Sequence, residues 1–242
     1  MLEIVEIIRP ADQGRTTPFL CTACDGNSYF VKGYAASSIG LVKEWMGANL
    51  AQAFGLPVPE FQLAYLADAL ANAYEGPAAS ELKGGYVFAS KQIPSVTELK
   101  FETIPHLDKT TRLAVLLFDL WVEHEDRTLT ELGGNPNLLW KPDESKLYVI
   151  DHNLIFDPAF SHESFWTTHV FKSEFRNKQD DFIEKQTFEA RMQKALDSWQ
   201  SAWDKVPPEW LEYNADYSIF NPNQHIQRLT DDANGNLWLK LP

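Results

Sequence analysis

Short apolar runs occupy the first third of the chain and long ones the remainder. Leu2 to Ile8 reads as a strand ended by Arg9-Pro10, and the polar turn Gly14–Pro18 leads into a second strand, Phe19 to Ala23. Asp25-Gly26-Asn27 predicts a hairpin turn, because Gly and Asn tolerate the left-handed dihedrals it requires. Ser28 to Lys32 is the third strand of this meander. Leu41, Trp45, Ala48, Leu50, Ala51 and Phe54 then fall at helical spacing, and Gly55 with Pro57 supplies a stop, which predicts a helix over 38–54. Val58 to Leu66 returns to strand. Ala67 to Leu82 has no clear period and reads as a short helix plus loop, and Gly84 to Ile93 is a strand running into a linker.

From Leu107 the pattern turns helical. Asp108 suits an N-cap, and the run through Leu113, Leu116, Leu117, Leu120 and Trp121 is apolar on nearly every face, the mark of a buried central helix. Asn137 to Trp140 and Lys146 to Ile150 are strands flanking a Lys-Pro-Asp-Glu-Ser turn. Asp157 to Lys178 keeps no lasting period. Asp180 to Trp203 reads as a long amphipathic helix, Pro207 opens a shorter one, and Tyr217 to Thr230 is the last. The aromatics of these helices are read as core. The apolar end, Leu237 to Leu241, either docks on the body or pairs with another chain. No internal repeat appears.

With 242 residues, 44% hydrophobic and 23% charged, the chain has an ordinary globular composition. A net charge of −13 repels a phosphate backbone and argues against bulk nucleic acid as a partner. The sequence shows neither a secretory signal nor a long apolar run, so no membrane partner and a cytoplasmic location are expected. Cys21 and Cys24 have no second pair at zinc-site spacing and are read as two strand cysteines, with a redox pair as the lesser alternative.

The candidate chemistry lies between Phe118 and Phe156. Asp126 falls in a loop, Asn135 a short way on, and Asp151 at a strand end. A carboxylate to take the proton of an acceptor hydroxyl, with an amide and a second carboxylate to hold Mg²⁺, is what phosphoryl transfer from a metal-bound nucleotide needs. Upstream, Gly14, Thr16 and Thr17 offer small residues in a turn suited to covering phosphates, and Lys32 ends the strand after the next turn. Glu44 lies on the following helix, where a kinase needs an acidic group to steady that lysine. In a two-lobed kinase Phe88, Ala89 and Ser90 would lie nearest an adenine bound through their backbone; the alternative is simply a central strand. Asp119, inside the central helix, is read as a buried acceptor for loop N–H groups, and Arg127 as a brace of the loop.

Asp126-Arg127 followed by Asn135-Pro136-Asn137-Leu138-Leu139, a hairpin, and Ile150-Asp151-His152 resembles the HipA-like kinases, most closely their compact branch. The resemblance implies an α+β, two-lobed protein-kinase-like fold. Its N-lobe, with an antiparallel sheet, would span residues 1–93 and bind the nucleotide phosphates. Its mainly helical C-lobe would span 94–242 and carry the catalytic and metal-binding loops. It implies ATP and Mg²⁺ as cofactors, Asp126 as the catalytic-loop residue, Asn135 and Asp151 as metal ligands, and a protein Ser/Thr acceptor. A small antitoxin-like partner also accompanies many relatives. In one respect the chain departs: Thr128 to Gly134 lengthens a gap that the family usually keeps short. Either Asn135 or Asn137 then faces the metal, with Asn135 favoured because Leu138-Leu139 already set the strand register.

Two other readings follow from the same residues. His124, Asp126 and His152 are formally a two-His-one-carboxylate iron set, as in a metal oxygenase. The lengthened loop also suits a degraded kinase fold that binds a nucleotide or a protein partner without chemistry.

Overall fold

The computed structural model describes residues 1–11, 17–175, 182–212 and 219–242. In chain order its first elements are strands β1 (Leu2–Pro10), β2 (Phe19–Ala23) and β3 (Ser28–Lys32), helix α1 (Ser38–Phe54), strand β4 (Phe61–Leu66), helix α2 (Asp68–Ala73) and strand β5 (Gly85–Lys91). Then come strand β6 (Thr97–Glu98), helix α3 (Lys109–Trp121), and strands β7 (Thr128–Thr130), β8 (Gly133–Asn135), β9 (Leu138–Lys141) and β10 (Lys146–Val149). Helices α4 (His162–Thr168), α5 (Phe182–Asp197), α6 (Trp199–Trp203), α7 (Pro208–Leu211) and α8 (Pro222–Ala233) complete the chain. No described helix is long and apolar enough to cross a membrane.

These elements divide into two compact units. The barrel unit comprises Met1–Trp45, Pro59–Pro94 and Val206–Phe220, and the helical unit Met46–Val58, Ser95–Lys205 and Asn221–Pro242. One cut near residue 93 thus becomes a cut plus two exchanges. Helix α1 has 17 residues, a rod of about 25 Å, and its second half clusters with the helical unit. The other exchange is α7, which caps β5: Tyr86 donates its N–H to Glu209 Oε1 at 2.6 Å, and Trp210 Nε1 donates to the Tyr86 carbonyl at 3.2 Å.

In the barrel unit the strands close in the order β1-β2-β3-β5-β4. Every pairing is antiparallel except the one that closes the barrel, where β1 runs parallel to β4 at Leu2↔Ala64 and Glu3↔Tyr65. That parallel pair was not foreseen. It gives both edge strands a partner and leaves no open edge. Ile4, Ile7, Phe19, Val31, Leu66 and Val87 fill the interior. Cys21 packs there too, its thiol pushed up to about 12 by burial, whereas Cys24 is exposed; both are free, as two ordinary cysteines would be.

In the helical unit α3 is buried from Leu113 through Trp121, as its apolar run requires. Asp108 caps it, accepting from the Thr111 N–H at 2.8 Å. Strands β10, β9 and β6 form a three-stranded sheet and β7 with β8 a separate hairpin. The long C-terminal helix expected as one piece breaks at Ser198, between α5 and α6. The chain end docks within its own unit: Leu237 is buried, Trp238 Nε1 donates to Glu189 at 2.6 Å, and Lys240 reaches Asp232 at 2.6 Å.

Candidate active site

The loop that carries Asp126 begins where α3 stops. Glu123 takes a left-handed φ of 54°, reversing the chain, and the His124 N–H bonds back to the Asp119 carbonyl at 2.9 Å. Arg127 then turns inward. Its Nε meets Asp119 Oδ2 at 2.8 Å, and its Nη1 donates to the carbonyls of Asn137 at 2.6 Å and Ile150 at 3.1 Å. One planar guanidinium thereby ties α3, the loop, the start of β9 and the end of β10 together, which a lysine ammonium lacks the geometry to do. Asp119 is buried as expected, but its side-chain partners are not loop N–H groups. It accepts from Arg127 and from His169 Nε2 at 3.0 Å, with His124 Nδ1 farther off at 3.4 Å.

The charges of this cluster follow from its partners. Burial alone would raise the Asp119 carboxyl, but the Arg127 charge, the nearby His124 ring and the hydrogen bond from His169 together hold it well below the usual carboxylate range. His169 moves the other way from a typical paired histidine. Burial lowers it, and the neighbouring Asp119 only partly opposes that. The Phe171 N–H donates to His169 Nδ1 at 3.1 Å, so the ring is neutral with its proton on Nε2, aimed at Asp119. The segment after Asp151 is thus latched to the loop: the Val170 N–H also bonds the Arg127 carbonyl at 3.0 Å, and the Ser161 N–H bonds Glu125 at 2.9 Å.

Asp126 stands half-buried above this brace. Its Oδ2 accepts from Asn135 Nδ2 at 2.6 Å and from Asn137 Nδ2 at 3.1 Å. A carboxylate selects the N–H side of each amide, so both side-chain oxygens turn away from Asp126 and are presented as hard ligands. The two asparagines differ in setting. Asn135 is exposed on β8, whereas Asn137 is buried, has a φ of 49°, and accepts from the Ile150 N–H at 3.1 Å through its main-chain carbonyl. That bond places Asn137 one residue from Asp151 across the sheet, and Asp151 itself has a φ of 61°. Left-handed dihedrals at residues other than glycine cost of order 1–3 kcal/mol and gather at functional sites. The cross-strand bond thus sets the Asn137 backbone beside Ile150-Asp151, whereas Asn135 belongs to the β7–β8 hairpin.

The lengthened loop, read from sequence as a plain insertion, is the β7–β8 hairpin, with Thr128↔Asn135, Leu129↔Gly134 and Thr130↔Gly133 in register. Thr-Leu-Thr followed by Gly-Gly was its local signal, a β-branched alternation ended by turn formers. Gly134 leaves no room for a Cβ against the Thr128 carbonyl. On the other side, Gly47 of α1 packs on the loop after β10, where an added Cβ would lie 2.5 Å from His152 Cβ.

In the barrel unit Lys32 Nζ meets Glu44 Oε2 at 2.8 Å, both side chains nearly buried. Thr17 precedes β2 half-buried with a φ of 43°, while Gly14 and Thr16 lie outside the described residues. Phe88, Ala89 and Ser90 lie in a strand flanked on both sides. They pair with Lys32, Val31 and Phe30 on one side and with Leu63, Gln62 and Phe61 on the other, which commits their N–H and C=O groups to the barrel. The iron set is not assembled either. His124 is fully buried beside Asp119, His152 is packed edge-on to Phe118, and no cluster of three or more His, Cys, Asp or Glu able to hold a metal occurs among the described residues.

The family described as HipA-like kinase matches residues 4–241. No curated protein matches the sequence. Among solved structures, a Helicobacter pylori proinflammatory kinase, CtkA, shares 14% identity over 98% of this chain and 92% of its own, with a TM-score of 0.44. The Golgi casein kinase shares 10% identity over 99% of this chain and 73% of its own, with TM-scores of 0.51 and, with Mn/ADP bound, 0.52. At such identity the latter likeness shows the fold alone.

Proposed function

Because this chain belongs to the HipA-like kinase family, we propose that it is an ATP- and Mg²⁺-dependent phosphotransferase acting on a protein Ser or Thr hydroxyl. Asp126 takes the proton of the acceptor hydroxyl, with Oδ2 already held by two amides and Oδ1 left to face the acceptor. Asn137 and Asp151 supply hard oxygen ligands of the kind Mg²⁺ prefers. Bound there, Mg²⁺ would neutralise charge on the phosphate oxygens. Asn135 orients Asp126 rather than binding metal. Lys32, steadied by Glu44, offers a positive point charge of the kind that binds phosphate. Arg127 and Asp119 touch no substrate; they keep the loop in shape.

One observation carries this reading: the carboxylate of Asp126 and the backbone next to Asp151 are joined through a single buried residue, Asn137. A fold relative has been crystallised with Mn/ADP, which makes that pair a suitable probe. Titration calorimetry with ADP should show binding that strengthens when Mg²⁺ or Mn²⁺ is added. Asp151→Ala and Asn137→Ala should lose at least the roughly 10–100-fold in metal affinity that removal of an outer partner costs a metal site. Asn135→Ala should keep the metal dependence. Unaltered metal dependence in Asp151→Ala would remove the assignment.

A further inference from the structure

The β7–β8 hairpin grows directly out of the catalytic loop, and the phosphotransfer reading gives it no task. Its base is fixed. Leu129 is buried, Thr128 bridges to His169, and Asn135 bonds Asp126 at 2.6 Å. Its tip is braced as well: the Thr130 hydroxyl accepts from the Leu132 N–H at 3.2 Å and donates to the Gly133 carbonyl at 3.0 Å. Gly133, with a φ of 107°, supplies the left-handed step the turn needs. On this stiffened turn Leu132 is 100% exposed and Glu131 stands beside it.

A single exposed leucine is unremarkable on a surface, and a loose loop would explain it. A leucine held out on a capped hairpin, anchored through Asn135 to the proposed base, is a preorganised contact. We propose that Leu132 and Glu131 read the acceptor of this kinase, a claim that rests on the phosphotransfer reading above. Leu132 lies three residues from Asn135, roughly 10 Å at strand spacing and the span of about three residues of extended peptide, and Asn135 bonds Asp126 directly. The acceptor is therefore a protein segment with an apolar side chain three positions from its Ser or Thr. Glu131, on a chain of net charge −13, adds selection for a basic residue next to that apolar one.

The test uses the full chain, ATP with Mg²⁺, and a peptide library in which one position at a time is varied around a fixed Ser or Thr. ATP hydrolysis without peptide is the second readout. Wild type should favour an apolar residue three positions from the acceptor by about tenfold, the low end of what an apolar contact discriminates. Leu132→Ser should abolish that preference with ATP hydrolysis unchanged, and Glu131→Lys should turn the adjacent preference from basic to acidic. Retention of the apolar preference in Leu132→Ser overturns the proposal and leaves phosphotransfer standing. So does labelling of peptides by wild type with no apolar preference. ATP hydrolysis with no peptide labelled overturns the proposal together with the protein acceptor on which it rests. Absence of both ATP hydrolysis and labelling in wild type overturns the kinase reading and this proposal together.

Discussion

In the barrel unit Lys32 meets Glu44 at 2.8 Å, and in the helical unit Arg127 meets Asp119 at the same distance. The lysine side chain keeps 11% exposure, whereas Arg127 and Asp119 have none. Lysine brings a compact ammonium whose donors rotate to suit a ligand; arginine brings a fixed fork, here spent on Asp119 and main-chain carbonyls. Similar pairing thus serves opposite ends. On the phosphotransfer reading proposed above, one pair presents a charge and the other fixes a shape, so the first should be felt in catalysis and the second in stability.

The largest effect should come from breaking the fixed pair. Arg127→Ala leaves the buried Asp119 carboxylate without its counter-charge, and removal of one partner of such a pair costs about 3–5 kcal/mol. Denaturant unfolding should show that loss, and the double replacement Arg127→Met with Asp119→Leu should recover much of it. A loss below about 1 kcal/mol, the level of a surface pair, would mean that Arg127 is not the brace.

Lys32→Met should sharpen the contrast from the other side. Transfer from ATP should fall by roughly 10²–10³, as when one charge-stabilising donor is removed from an active site. Its unfolding should shift less than that of Arg127→Ala. A variant that unfolds like Arg127→Ala yet transfers phosphate normally would reverse the two roles.

The smallest effect is a pH dependence seated in the fixed pair. His169 is held below its ordinary value of 6.5, so below about that pH the unfolded chain binds a proton the folded one refuses. Its contribution is complete above that value and is lost as the pH falls toward the depressed folded value. Asp119, also depressed, adds a loss only at more acidic pH, below the ordinary carboxylate range. Unfolding measured between pH 7.5 and 5.5 should show declining stability in wild type and a flatter slope in His169→Gln. Equal slopes would show that His169 titrates no differently in the two states.

The same contrast shows what the chain reveals before folding. Lys32 and Glu44 were legible because each sits on an element with a strong local signature, β3 between its turns and α1 with its helical spacing; both elements have the bounds read from sequence. The Asp108 cap was equally local. His169 was not legible, since its segment has no period and its partner lies 50 residues earlier. Barrel closure through β1 and β4 is a long-range pairing with no sequence mark, and the two-residue β6 is too short to have one. The different settings of Asn135 and Asn137 rest on burial and a cross-strand bond to Ile150, and neither is a property of spacing. The setting of Ser90 and its neighbours was left open, because strand character alone does not tell an edge from a strand flanked on both sides.

The most direct measurement is phosphate transfer itself. Wild type, Asp126→Ala and Asp151→Ala are incubated with labelled ATP and Mg²⁺ beside a mixture of Ser/Thr peptides, with thermal unfolding recorded for each. The account predicts labelled peptide from wild type only, and all three proteins folded. Labelling at wild-type level by either variant would contradict it, and nucleotide binding by wild type with no labelling would leave a kinase fold without the chemistry assigned to it.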